Sequence, residues 1–101
     1  MPSTLPVFLI GFPAAGKTTV GTLAAARLGR AFVDLDDVIA DRAGRPVPAL
    51  VAADEADFRR READALATVA AEPTPRVIAT GGGAAAWGDN LDRMRAAGLV
   101  I

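Results

Sequence analysis

Short apolar runs alternate with longer stretches of helical periodicity along this chain. Val7-Phe8-Leu9-Ile10 is a continuous apolar run with a β-branched residue at each end. That is the pattern of a strand buried on both faces. Residues 11–16 then read as a turn. From Lys17 the pattern becomes helical: Val20, Leu23, Ala24 and Leu28 recur at roughly helical spacing, and Gly29 suits a C-terminal cap. Ala31-Phe32-Val33 predicts a second strand ending in Asp34. Asp36 and Asp37 fall where a helix would begin, a place that favours acidic groups, and this helix runs to about Ala43 and stops at Gly44. Residues 47–72, bracketed by Pro46 and Pro73, predict helix in two pieces. Arg76-Val77-Ile78-Ala79 is a third strand, followed at once by Thr80-Gly81-Gly82-Gly83. Residues 89–97 predict a short helix with Asp89 as N-cap and Gly98 as stop, and Leu99-Val100-Ile101 begins a fourth strand.

Strands and helices in alternation define an α/β chain with a mostly parallel sheet flanked by helices. The 101 residues fit one domain. Hydrophobic residues make up 51%, but alanine supplies much of that share, so the core is thinly filled. A parallel core strand needs cover on both faces, and nothing follows Ile101, so the domain over residues 1–101 reads as incomplete at its C-terminus. With neither cysteine nor histidine, disulfide staples and Cys or His zinc sites are excluded. A histidine base is excluded too, which leaves acid–base chemistry to carboxylates or a lysine. The net charge of −1 gives no footprint for nucleic acid or an anionic membrane. No apolar run reaches the length of a membrane span, and Met1 to Pro6 lacks the basic flank of a signal peptide. A cytoplasmic monomer is the expectation.

Gly11-Phe12-Pro13-Ala14-Ala15-Gly16-Lys17-Thr18 matches G-x-x-x-x-G-K-[ST], with a strand entering and a helix leaving. The glycines let backbone N–H groups curl around a phosphate, and the helix N-terminus adds partial positive charge. Lys17 would reach the outer phosphates and the Thr18 hydroxyl would ligate Mg²⁺. Lys17 is also the sole lysine; the other ten basic residues are arginine. The chain places its one compact ammonium where a phosphate clamp needs it. The plain alternative is a glycine-rich turn without a ligand.

Beyond the loop the chain resembles the shikimate kinases, small phosphate-loop kinases of aromatic amino-acid biosynthesis, from about Val7 to Ile101. Four motifs carry the resemblance in order: Gly16-Lys17-Thr18-Thr19-Val20-Gly21; Phe32-Val33-Asp34-Leu35-Asp36; Phe58-Arg59-Arg60-Arg61-Glu62; and Ala79-Thr80-Gly81-Gly82-Gly83. The resemblance implies ATP bound by Ala14, Ala15, Gly16, Lys17, Thr18 and Thr19. It implies Mg²⁺ at Thr18 and Asp34, and shikimate held by Asp36, Arg59, Gly81, Gly82 and Gly83. Lys17 and Asp36 would be catalytic, Asp36 as the base for the accepting oxygen. The implied reaction carries the γ-phosphoryl group of ATP to the 3-hydroxyl of shikimate. Another small-metabolite kinase, such as gluconate kinase, and a non-catalytic nucleotide-binding fragment are the alternatives. The triple glycine and Arg59 argue for shikimate.

The residues can be read apart from the resemblance. Asp34 closes a strand, so its carboxylate sits at the sheet edge where open α/β sheets bind ligands. Asp36 could serve there, or merely favour the helix N-terminus as Asp37 does. Arg59, Arg60 and Arg61 project about 100° apart on a helix and cannot all face one site. Glu55–Arg59 and Asp57–Arg61 have the i,i+4 spacing of weak surface pairs. Spacing alone favours surface pairing; the Phe58 and Glu62 motif reverses this for Arg59 only, which suits a planar carboxylate. A lone triple glycine is commonly a flexible turn, and Trp87 reads as a packing anchor for the following helix. Departures from the family pattern are Ala14 and Asp54, each where the family commonly has glycine, and Ala40-Asp41, where an acidic residue is displaced by one. Ala14 would be strained if its position needs positive φ. The family's lid, its arginine over the transferred phosphate, its second substrate arginine and its adenine loop have no counterpart among these residues, so slow turnover is expected.

Overall fold

The computed structural model describes residues 5–11, 14–72, 76–81 and 83–101, with backbone only for Ala14 and Ala15. Its strands are β1 (Val7–Leu9), β2 (Ala31–Asp34), β3 (Arg76–Ala79) and β4 (Leu99–Val100), and all pair in parallel in the order β2-β3-β1-β4. The helices are α1 (Ala14–Leu28), α2 (Leu35–Ala43), α3 (Val47–Ala53), α4 (Glu55–Ala70) and α5 (Asn90–Ala97), with a 3₁₀ turn at Ala84–Ala86.

The central strands are apolar because both of their faces are covered. Val7, Phe8, Leu9, Val77, Ile78 and Ala79 are all buried. Side chains alternate across the sheet. Val7, Leu9, Val77 and Ala79 pack with Ala25 of α1 on one face, and Phe8 and Ile78 join Leu35, Ile39, Leu50, Phe58, Leu66 and Met94 on the other. The chain leaves β1 for β2 on one side and leaves β3 for β4 on the other. The crevice between the C-terminal ends of β1 and β3 is therefore a topological switch point, where open α/β sheets bind ligands.

The expected helix after the glycine loop forms, but it begins at Ala14 rather than Lys17 and turns a different face inward. Lys17 and Ala25 are buried, whereas Val20, Leu23 and Leu28 are exposed. The cause is close approach: Gly21 lies so near the Phe32 ring that a Cβ there would overlap it, so small residues line the contact. No non-glycine among the described residues has positive φ, so the strain considered for Ala14 does not arise. Asp54 has a purpose of its own. It ends α3 and caps α4, its carboxylate accepting from Asp57 N at 3.1 Å. Asp89 occupies the N-cap position of α5 without a side-chain cap bond and pairs with Arg93 at 3.0 Å instead. Trp87 is 39% exposed, contrary to its expected anchoring role; the buried residue at the start of α5 is Asn90.

Candidate functional site

The site assembles from first turns and strand ends. Gly16, Lys17, Thr18 and Thr19 lie in the opening turns of α1, the end of the helix that carries partial positive charge. Thr18 and Thr19 are exposed, Gly16 half-buried and Lys17 buried. Ala14 and Ala15 begin the same helix; their side chains, together with Phe12, Pro13 and Gly82, lie outside the described residues.

Asp34 ends β2 and becomes the N-cap of α2, its Oδ1 accepting from Asp36 N at 3.0 Å. This bond fixes the turn that presents both carboxylates at the sheet edge. Lys17 Nζ lies 3.4 Å from Asp34 Oδ1 and 3.6 Å from Asp36 Oδ2. Residues from three successive elements thus meet in one charge cluster. Asp36 also faces the second glycine loop, since a Cβ on Gly81 would lie 3.3 Å from its Oδ1.

Arg59 reaches the same region from α4. Its Nη1 donates to Glu62 Oε1 at 2.8 Å, and its guanidinium carbon stands 5.3 Å from the Phe58 ring centroid, within cation–π range. A Cβ on Gly83 would come within 2.5 Å of Nη2, so any larger residue there would make the guanidinium shift. The i,i+4 pairing of Arg59 with Glu55 does not form; the partner is Glu62, three residues on. Arg60 and Arg61 are exposed and both pair with Asp57, at 3.6 and 2.8 Å. The Arg61 hydrogen bond holds the Asp57 carboxyl below its ordinary value.

Glu62 is the residue whose part the spacing did not disclose. It is 1% exposed, and burial pushes its carboxyl above the ordinary value despite the opposing hydrogen bond from Arg59; the charge of Asp36 pushes the same way. The available signal was its place three positions after Arg59 on one helix face.

Among the described residues no group of three or more acidic side chains gathers as a full protein cage for a metal. Mg²⁺ does not need one: it takes one or two protein oxygens and completes its shell with water and phosphate. The Asp34 partners given above, Lys17 and Asp36 N, both sit on Oδ1, which leaves Oδ2 for a hard cation, and Thr18 offers a hydroxyl oxygen. The donor set fits. Among the described residues, no helix is long and apolar enough to cross a membrane.

A parallel sheet with a glycine-rich turn and buried lysine after β1, and an acid-bearing edge after β2, defines the phosphate-loop kinase class of α/β protein. A sequence model of shikimate kinase matches residues 13–101. The chain is 48% identical over 96 residues to the shikimate kinase of Symbiobacterium thermophilum, covering 94% of this chain and 55% of that protein. It is 45% identical over 105 residues to that of Bordetella pertussis, covering 100% and 48%. Among solved structures it resembles shikimate kinase from Bacteroides thetaiotaomicron, with TM-score 0.88 and 39% identity over 95% of this chain and 57% of that one. It also resembles shikimate kinase from Acinetobacter baumannii in complex with shikimate, with TM-score 0.88 and 35% identity over 97% and 55%. The chain belongs to the shikimate kinase family, and it spans about half the length of the curated relatives it matches. These matches favour that family over gluconate kinase.

Proposed function

We propose that this chain forms the ATP- and shikimate-binding part of a shikimate kinase, which transfers the γ-phosphoryl group of ATP to the 3-hydroxyl of shikimate in aromatic amino-acid biosynthesis. The observation that carries the reading is the cluster itself. A buried ammonium on the phosphate loop, a carboxylate beside it and a guanidinium flanked by glycine all gather at the sheet edge.

In this mechanism the N–H groups of Ala14, Ala15 and Gly16 at the start of α1 cradle the phosphates, with Thr18 and Thr19 following on the same turns. Lys17 neutralises charge on the outer ones as the γ-phosphorus shifts from its leaving oxygen to the incoming one. Thr18 and Asp34 would hold Mg²⁺, which supplies further charge neutralisation on the phosphates when bound. Asp36 accepts the proton of the shikimate hydroxyl as that oxygen forms its bond to phosphorus and the bond to ADP breaks. Arg59 receives the shikimate carboxylate in two parallel hydrogen bonds, and the backbone at Gly81, Gly82 and Gly83 approaches the substrate without side chains between. Residues 1–101 act as part of one kinase domain, a cytoplasmic monomer in this reading. Full activity draws also on what the relatives carry outside the stretch matched.

A coupled ADP-release assay with and without shikimate, and with gluconate as competitor acceptor, tests the reading. Shikimate-dependent ADP release is expected; release indifferent to shikimate, or driven by gluconate, would overturn it.

A further inference from the structure

Asn90 opens α5 and is 1% exposed, the only buried amide side chain among the described residues. A buried amide needs a partner, and its Nδ2 donates to the Ala84 carbonyl at 3.0 Å. Since that carbonyl can only accept, the donor end of the amide must face it. Ala84 is itself wholly buried and opens the 3₁₀ turn. The turn is otherwise closed by backbone bonds alone: Ala84 N to Gly81 O at 3.1 Å, Ala86 N to Gly83 O at 3.2 Å and Trp87 N to Ala84 O at 3.3 Å. Ala84 and Ala85 pack against the core, but three alanines in a 3₁₀ turn offer no polar side chain to fix its orientation. Asn90 adds a side-chain hydrogen bond to this turn directly after Gly83, where a Cβ would meet the Arg59 guanidinium. The guanidinium thus sits by the Phe58 ring, Glu62 Oε1 and Gly83, the residue just before the carbonyl that Asn90 holds.

We infer that Asn90 is a positioning residue for acceptor binding, acting through Ala84 and Gly83 on the orientation of Arg59. This rests on the reading of Arg59 as the group that receives the shikimate carboxylate. It assigns the start of α5, which carries no reacting group, a part in acceptor affinity. A Gly83 backbone that recedes lets the guanidinium sample rotamers that do not present its two parallel donors, so the loss falls on the acceptor and spares the nucleotide.

The test is a double-mutant cycle read as kcat/KM for shikimate, which remains measurable below saturation, alongside KM for ATP. Asn90→Ala is expected to lower kcat/KM for shikimate about tenfold through KM, with kcat and the ATP KM within twofold of the parent. Introduced on top of Arg59→Ala, it should cost less than twofold further. Should Asn90→Ala fail to fold, Asn90→Leu, which is close in shape and has no donor for Ala84, is read in the same way. Equal losses in the two backgrounds, or a matching rise in the ATP KM, would overturn the inference and leave Asn90 a general stabiliser. If Arg59→Ala itself left shikimate kinetics unchanged, the reading of the site would fall instead.

Discussion

The ammonium of Lys17 and the carboxylate of Asp36 stand 3.6 Å apart, one on the first turns of α1 and the other on the first turn of α2. Both turns follow strands that end at the same sheet edge, so parallel topology brings the ammonium of α1 to the carboxylate at the start of α2. Asp34, 3.4 Å from the same ammonium, completes the cluster, so one cation faces two carboxylates. Nucleotide and acceptor would thus compete with each other's anchors for a single cation.

Lys17→Met should abolish measurable ATP binding, because the loop loses its only point charge. It should also strip two neighbouring carboxylates of their cation, lowering stability by about 1–3 kcal/mol, the range for a charged hydrogen-bonding group left unpaired. Nucleotide titration and thermal melts of the variant measure both effects. Unchanged ATP affinity would remove the phosphate loop from the mechanism.

Arg59→Ala should weaken shikimate binding by about 1.5–3 kcal/mol, the scale of a charge-assisted hydrogen bond, while sparing ATP. Arg60→Ala is the internal control. Its guanidinium is exposed and 3.6 Å from Asp57, an arrangement that contributes little. Calorimetric titration of shikimate separates the two; equal losses would mean that the face of α4 was misassigned.

Much of this could be read along the chain, and what could not was tertiary. All four strands fall where the sequence runs place them; β1 and most of β3 are apolar because both faces are covered, β2 and β4 are only partly buried, and Gly44 ends α2 where expected, in a left-handed cap. The inward face of α1 was misread because Gly21 meets Phe32, a contact no periodicity can report. Asp34 and Asp36 were legible as a pair at a strand end, but not the bond between them that makes Asp34 the cap. Glu62 stands in the Phe58–Glu62 motif, yet its burial follows from the packing of α4 against α2, α3 and the 3₁₀ turn. Asn90 gave no signal at all, since one asparagine at a helix start is ordinary until its surroundings are known.

Gly21→Ala should destabilise the fold. The added methyl would overlap the Phe32 ring, and β2 carries Asp34 at its far end, so the helix and strand must part. Overpacking of this kind costs about 1–3 kcal/mol. For a domain of this size each kcal/mol shifts Tm by roughly 4–8 °C. Differential scanning calorimetry measures it; an unchanged Tm would show that α1 can slide away from the sheet at no cost.

Glu62 sets the pH dependence. Its folded carboxyl binds a proton more tightly than the unfolded one, whose ordinary value is 4.5, because burial disfavours the charge more than Arg59 restores it. Between that ordinary value and the raised folded one, the folded state holds more protons than the unfolded state. Stability from this group is therefore complete below the ordinary value and is lost as pH rises through the folded one. Glu62→Gln removes the titration and keeps the shape. Denaturant melts of both proteins from mildly acidic to neutral pH should show the parent losing stability relative to the variant as pH rises. The opposite slope would mean that the 2.8 Å bond to Arg59 outweighs burial, so that the pair is held together by charge rather than tolerated by the core.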